Sequence, residues 1–194
     1  SRGLGDVYKR QDIHHYFQSI DHAVLKTEIR KVIKDAGVLA LLDRIIDHNG
    51  NMPDGVGIPV GNLTSQLFAN IYLDALDQFI KHELGVEAYI RYMDDIIILH
   101  PDKKYLEKIK NKIADFLGNK LHLQLNKKTC IRPTSMGIEF VGFRIWSTHV
   151  KLRKKTAKKL KRRLKYMFAA YHAGEIDKDT LDRSVASYRG ILQH

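Results

Sequence analysis

The stretch Ile90-Arg91-Tyr92-Met93-Asp94-Asp95-Ile96-Ile97-Ile98-Leu99 decides the fold. It is apolar and largely β-branched on both sides of two adjacent carboxylates. A continuous run of this kind reads as a buried strand. The acids interrupt it, because a carboxylate pointing into a core is costly unless it is paired or holds a cation. A hairpin resolves the conflict, with a strand on each side and Asp94 and Asp95 at the tip. There both can converge on a hard divalent ion such as Mg²⁺, which takes carboxylate oxygens and keeps positions for water and phosphate. A solvated β-turn is the plainer reading of the same residues.

Upstream, Asp12-Ile13-His14-His15-Tyr16-Phe17 reads as a short strand running into a turn. An acid on a neighbouring strand would complete a two-metal site, although an isolated Asp serves equally well as a cap or turn residue. Asp21 is placed to cap a helix bearing Val24, Leu25, Ile29, Val32 and Ile33 at helical spacing, which Gly37 is expected to end. Val38, Leu41, Leu42, Ile45 and Ile46 mark a second helix. Gly50, Pro53, Gly55, Gly57, Pro59 and Gly61 then define a loop of tight turns. Asn62 or Thr64 can cap the helix that follows, whose apolar positions are Leu67, Phe68, Ile71, Leu76 and Ile80. Glycines here let backbone approach a ligand closely, and helix-start N–H groups suit an anion. A plain loop-to-helix junction would look the same.

Downstream, an amphipathic helix is expected over 104–117, and Leu121, Leu123 and Leu125 alternate as a strand. Residues 138–145 and 149–152 suggest a hairpin, and two further helices cover 156–171 and about 178–192.

The 194 residues carry 33 Lys and Arg against 22 Asp and Glu, a formal net charge of +11. The surplus is localised. Residues 151–194 hold 13 basic and 4 acidic residues, leaving 20 and 18 for residues 1–150, so the two parts carry +9 and +2. Within 151–165, ten of fifteen residues are basic and none is acidic, so pairing along the helix cannot account for the run. A surface that tracks a phosphate backbone does account for it. Cys130 is the single cysteine, which excludes an internal disulfide and a cysteine-clustered zinc site and suits a reducing, cytoplasmic setting. No apolar run approaches a membrane span, so no membrane partner is expected. Residues 1–11 show no period and resemble translated sequencing-adapter text; they are expected to be an unmatched leader outside the domain.

The order of these motifs resembles reverse transcriptases: an Asp before a helix pair, the loop Gly57-Ile58-Pro59-Val60-Gly61 opening a helix, the Asp94-Asp95 hairpin, Asn126-Lys127-Lys128-Thr129, and Phe140-Val141-Gly142-Phe143. The resemblance covers roughly residues 12–194. It implies an α+β fold: a polymerase palm over 12–152, a ferredoxin-like antiparallel sheet packed on helices, followed by the start of a helical thumb over 153–194. Asp12, Asp94 and Asp95 would hold two Mg²⁺ ions, with Mn²⁺ a possible substitute and the Ile13 carbonyl assisting. Tyr16 and Phe17, with Pro59, Val60, Gly61, Ser65 and Gln66, would contact nucleotide or template, and Phe17 would be the bulky gate that selects dNTPs over rNTPs. From its residue type alone Phe17 could equally be core. Lys128 matches the lysine that protonates the leaving pyrophosphate, with Lys127 a competitor. Val141, Gly142 and Phe143 match the primer grip. Lys154, Lys155, Lys158, Lys159, Arg162 and Arg163 would grip nucleic-acid backbone. The implied partners are template RNA, a primer–cDNA duplex, dNTPs and a retroelement accessory protein, in a prokaryotic or phage setting.

Within the family, Val60 stands where most retroviral and group II intron enzymes have Gln, and Gln66 stands where they have Pro. This looks like the reverse transcriptases of diversity-generating retroelements, which copy a template RNA with errors at adenines. Replacing an amide by an apolar residue removes a hydrogen-bonding contact near the incoming nucleotide. The residues before Asp12 do not match a fingers region, so the isolated chain is expected to polymerise little or not at all. The rival expectations are a group II intron, retron or defence-type enzyme, a maturase-like RNA-binding protein, and a metal-dependent nuclease.

Overall fold

The computed structural model describes residues 7–11, 13–48, 55–127 and 129–192, and the side chains of 13–48, 55–127 and 129–190. The chain divides into two compact units, Ser1–Pro133 and Thr134–His194. The α+β class is as expected from sequence.

In the first unit, strands β1 (Val7–Gln11), β2 (Tyr89–Tyr92), β3 (Asp95–His100) and β4 (Cys130–Pro133) form one antiparallel sheet in the order β2-β3-β1-β4. Strand β3 is apolar on both faces: Ile96 and Ile98 are fully buried in the main core, and Ile97, pointing the other way, is buried too. Each such side chain contributes roughly 1.5–3 kcal/mol of burial free energy. The helices are α1 (His22–Val32), α2 (Ala36–Asp47), α3 (Leu63–Gln78) and α4 (Lys103–Leu121). Leu25 and Ile29 of α1, Phe68, Tyr72, Leu73 and Leu76 of α3, and Leu106, Ile109, Ile113 and Leu117 of α4 all enter the core that Ile96 and Ile98 share. Tyr72 ties three elements together. Its hydroxyl donates to the Leu121 carbonyl at 2.7 Å and accepts from the Asp21 amide at 3.3 Å. Burial pushes the Tyr72 hydroxyl pKa up, keeping it protonated as that donor.

Several local expectations change. Residues 7–11 are not outside the domain: they form β1 between β3 and β4. Their sequence, Val-Tyr-Lys-Arg-Gln, lacks the alternation that signals a strand, but ladder pairing is made by backbone groups. Ile13 makes only an isolated bridge to Leu125. Gly37 lies inside α2; the break falls at 33–35, where Asp35 caps α2 by accepting from the Val38 amide at 2.8 Å. Asp21 caps α1 as expected, accepting from the Val24 amide at 3.1 Å. Helix α4 runs on to Leu121 and ends at His122 in the left-handed conformation, so 121–125 is not a strand. Leu117 and Leu121 are four apart, a spacing a helix uses as readily as Leu-x-Leu serves a strand.

In the second unit, β5 (Ile138–Phe140), β6 (Phe143–Ile145) and β7 (Val150–Leu152) form a three-stranded antiparallel meander rather than a single hairpin. Helices α5 (Lys154–His172) and α6 (Lys178–Leu192) follow. Ala170 and Leu181 are the buried apolar residues of this unit among those described. The meander belongs to this unit, so the compact division falls at 133/134, where the sequence reading placed the boundary at 152/153. No described helix is long and apolar enough to cross a membrane.

Candidate active site

The acidic hairpin forms as its sequence requires. Tyr92 pairs with Asp95, and Met93 and Asp94 make the connecting turn. Met93 adopts φ 54°, a left-handed value that a non-glycine residue reaches only at a cost of about 1–2 kcal/mol. Asp94 and Asp95 are both half-buried at the tip. Two hard oxygen donors in sequence at a strand end are a donor set that fits a divalent cation of the Mg²⁺ class. Asp12, the third expected carboxylate, lies outside the described residues. Its neighbours are described: Gln11 pairs with Ile96, the residue after Asp95, and Ile13 is buried.

The segment after Ile13 is fixed by backbone bonds to the glycine loop. The Ile58 amide donates to the Phe17 carbonyl at 2.9 Å, and the Gly57 amide donates to the Ile20 carbonyl at 2.7 Å. The His22 imidazole Nε2 meets the Gly57 carbonyl at 2.8 Å. Gly57 and Gly61 take φ 90° and 106°, values at which a side chain is strained. The glycines of this loop are therefore demanded by its path. Phe17 is half-buried, its ring edge-on to Tyr16 at 5.6 Å. Tyr16 itself is core. It is 3% exposed, and its hydroxyl donates to the Ala69 carbonyl in α3. Burial pushes its pKa far up, with the Asp94 charge among the smaller contributions in the same direction. Its ring braces the site and is not presented to a ligand, which corrects the expectation of a nucleotide contact. Ser65 is likewise buried, whereas Val60 is 67% exposed and Gly61 and Gln66 are exposed.

Pro59 and Ser65 line a cavity of about 540 Å³ with Leu41, Ile45, Arg44 and His48 of the α2 region. Arg44 and His48 were not singled out by the sequence reading. Arg44 sits on α2 and His48 at its C-cap, where the apolar period marks other positions. Asn62 occupies the cap position of α3 without a side-chain cap bond.

Lys128 lies outside the described residues. Lys127 is exposed, and the Thr129 amide donates to the Asn126 carbonyl at 3.0 Å. In the second unit, Val141 and Gly142 connect β5 to β6 with φ 46° and 84°, the two successive positive values of a tight hairpin turn. The Gly142 carbonyl accepts from the Arg153 amide at 2.9 Å, joining this turn to the start of α5. Phe143 is half-buried in β6. On α5, Lys154, Lys155, Lys158, Lys159 and Arg162 line one groove, all exposed, and Arg163 is exposed beside them. None of the six has an acidic partner among the described residues.

The sequence reading also passed over Arg91, Asp77 and Asn70, which join the acidic hairpin to α3. The available signal was a cation inside a β-branched run, next to the acids.

The family model described as reverse transcriptase (RNA-dependent DNA polymerase) matches residues 5–145. Protein YkfC of Escherichia coli is 28% identical over 69% of this chain and 45% of its own length. A putative COX1/OXI3 intron 2 protein of Saccharomyces cerevisiae is 32% identical over 39% of this chain and 10% of its own. The chain thus spans less than half the length of these curated relatives. Among solved structures, apo telomerase from Candida tropicalis superposes with a TM-score of 0.61 at 16% identity, covering 80% of this chain and 34% of that one. Telomerase from Candida albicans, with a fragment of telomeric RNA, gives 0.59 at 15% identity over 77% and 30%. These likenesses are to the fold. Most of the chain matches the family model, and the chain belongs to the reverse transcriptase (RNA-dependent DNA polymerase) family.

Proposed function

We propose that this chain carries the nucleotidyl-transfer centre of an RNA-directed DNA polymerase that copies template RNA into cDNA. The observation that carries the reading is the half-buried Asp94-Asp95 pair at a hairpin tip, beside a strand that ends one residue before Asp12. Asp12, Asp94 and Asp95 would hold divalent cations, with the Ile13 carbonyl assisting, and ions bound there would supply a lowered 3′-hydroxyl pKa and neutralising charge at the triphosphate. The chain's own residues do the rest. Phe17 limits the room beside the sugar, its backbone fixed by Ile58. Val60, Gly61 and Gln66 offer an exposed edge to the nucleotide and template. Lys128, or its neighbour Lys127, supplies a proton to the departing pyrophosphate. Val141, Gly142 and Phe143 steady the primer, and the α5 cations hold phosphate.

The exposed Val60 supports an error-prone enzyme of the diversity-generating type, with adenines the favoured sites of error. Template RNA, the primer–cDNA duplex, dNTPs and a retroelement accessory protein are the proposed partners, in a prokaryotic or phage cytoplasm. Polymerisation by the isolated chain is proposed to be weak.

The test supplies a 5′-labelled primer on an RNA template with Mg²⁺ and one complementary dNTP, using a polymerising form that carries this chain. Addition of one nucleotide is expected. Shortening of the primer or template would mean a nuclease. Retention of RNA without either reaction would mean a maturase-like binding protein.

A further inference from the structure

The turn that presents Asp94 and Asp95 is held from behind. Arg91, on β2, is 11% exposed in its side chain. Its Nε donates to Asp77 Oδ1 at 2.8 Å and its Nη2 to Asp77 Oδ2 at 2.5 Å, a two-pronged bond to α3. Its Nη1 donates at 3.1 Å to the carbonyl of Met93, the left-handed residue of the turn, and at 3.1 Å to Asn70 Oδ1 on α3. Tyr89 donates its hydroxyl to the same Asp77 carboxylate. Asn70 and Asp77 are seven residues apart, two turns along one face of the helix.

A largely buried arginine beside an acidic site has two uses. It can meet a substrate phosphate, or it can hold protein. A guanidinium has five N–H groups, and the four bonds above occupy four of them with protein acceptors. Arg91 is therefore committed to the scaffold. Its pKa moves accordingly: burial disfavours the charge, but the hydrogen bonds and field of Asp77 outweigh it and the pKa rises. Lysine cannot replace this group, since one ammonium cannot grip a carboxylate in two places and reach a carbonyl as well.

We propose that Arg91 is a positioning residue, clamped by Asp77, that holds the Met93 carbonyl and so fixes the strained turn that aims Asp94 and Asp95. The proposal rests on the reading of those acids as metal ligands. The turn's left-handed residue would otherwise relax toward ordinary geometry, and the two carboxylates would have to be ordered by each arriving ion. Groups that orient metal ligands from outside typically govern about 10–100-fold in metal affinity.

The test uses this chain with Fe²⁺ in place of Mg²⁺, because iron with ascorbate and peroxide cleaves the backbone nearest the bound ion. Cleavage near residues 94–95 is expected in the unsubstituted chain. In Arg91→Lys and Asp77→Asn the half-saturating Fe²⁺ is expected to rise about tenfold or more. Amide hydrogen exchange at Met93, Asp94 and Asp95 is expected to quicken, with the helical circular dichroism retained. If either variant fails to fold, the pair Arg91→Met with Asp77→Leu replaces the ion pair by apolar contact and restores stability without the hold on Met93; the metal shift is expected to persist in it. Cleavage by the unsubstituted chain with an unchanged half-saturation in the folded variants would overturn the positioning role alone. Absence of cleavage in the unsubstituted chain would overturn the metal reading and this proposal together.

Discussion

The Ile58 amide donates to the carbonyl of Phe17 at 2.9 Å, so the glycine loop and the residue after Tyr16 move as one piece. The Gly57 amide reinforces this through Ile20, and Gly57 takes φ 90° to do so. The Phe17 backbone, held by this bond, keeps its place when the side chain is trimmed, so the proposed gate can be tested at its ring alone. In a polymerising form that carries this chain, Phe17→Ala is expected to raise the rNTP-to-dNTP incorporation ratio about tenfold or more. Gly57→Ala, by contrast, strains the loop by about 1–2 kcal/mol and is expected to lower the denaturation midpoint. Competitive single-nucleotide incorporation and urea melts measure the two effects.

Val60 is 67% exposed and packs against little. Val60→Gln is therefore expected to leave stability within about 0.5 kcal/mol. It is also expected to reduce misincorporation opposite template adenine, scored by sequencing cDNA from one defined RNA. An unchanged error spectrum would end the account given for this residue.

Gly137 lies beneath Trp146, the only tryptophan. It takes φ 77°, and a Cβ there would stand 2.5 Å from Trp146 Cε2 and 2.7 Å from Arg144 Cγ. The indole is also stacked on His149 at 4.5 Å and donates to the Ser135 carbonyl at 3.2 Å. Gly137→Ala is expected to destabilise the second unit by on the order of 1–3 kcal/mol. Tryptophan fluorescence reports that unit directly.

Lys158 and Arg162 are four residues apart on α5 and face one groove. If each meets a phosphate, replacing both by Ala lowers the slope of log affinity against log salt by about two for a duplex. Binding should weaken equally across template sequences. Filter binding at several salt concentrations measures it, and an unchanged slope would remove α5 from the interface.

The sequence was most informative where local physics and fold agreed. Two acids inside a β-branched run had one comfortable solution, and the hairpin from Tyr89 to His100 adopts it. Asp21 met its cap position, and α6 runs over the residues its period marked. Strand β1 was illegible because its residues carry no alternation and its place is set by partners remote in sequence. Tyr16 was misread because nothing local distinguishes an aromatic that faces a ligand from one whose hydroxyl finds a distant carbonyl. The Arg91–Asp77 clasp is of the same kind: each residue is ordinary alone, and only the packing of β2 on α3 joins them.

The central claim is that Asp94 and its neighbours serve chemistry while other residues hold the nucleic acid. Asp94→Asn, in a polymerising form that carries this chain, separates the two. The measurement is single-turnover addition of one dNTP to a primer on an RNA template, beside the dissociation constant for the same duplex. The account predicts a rate loss of about a thousandfold or more, since metal-held charge is worth several kcal/mol, with affinity for the duplex unchanged or slightly tighter. A rate within a few-fold of the unsubstituted protein, or a loss of binding that matches the loss of rate, would contradict it.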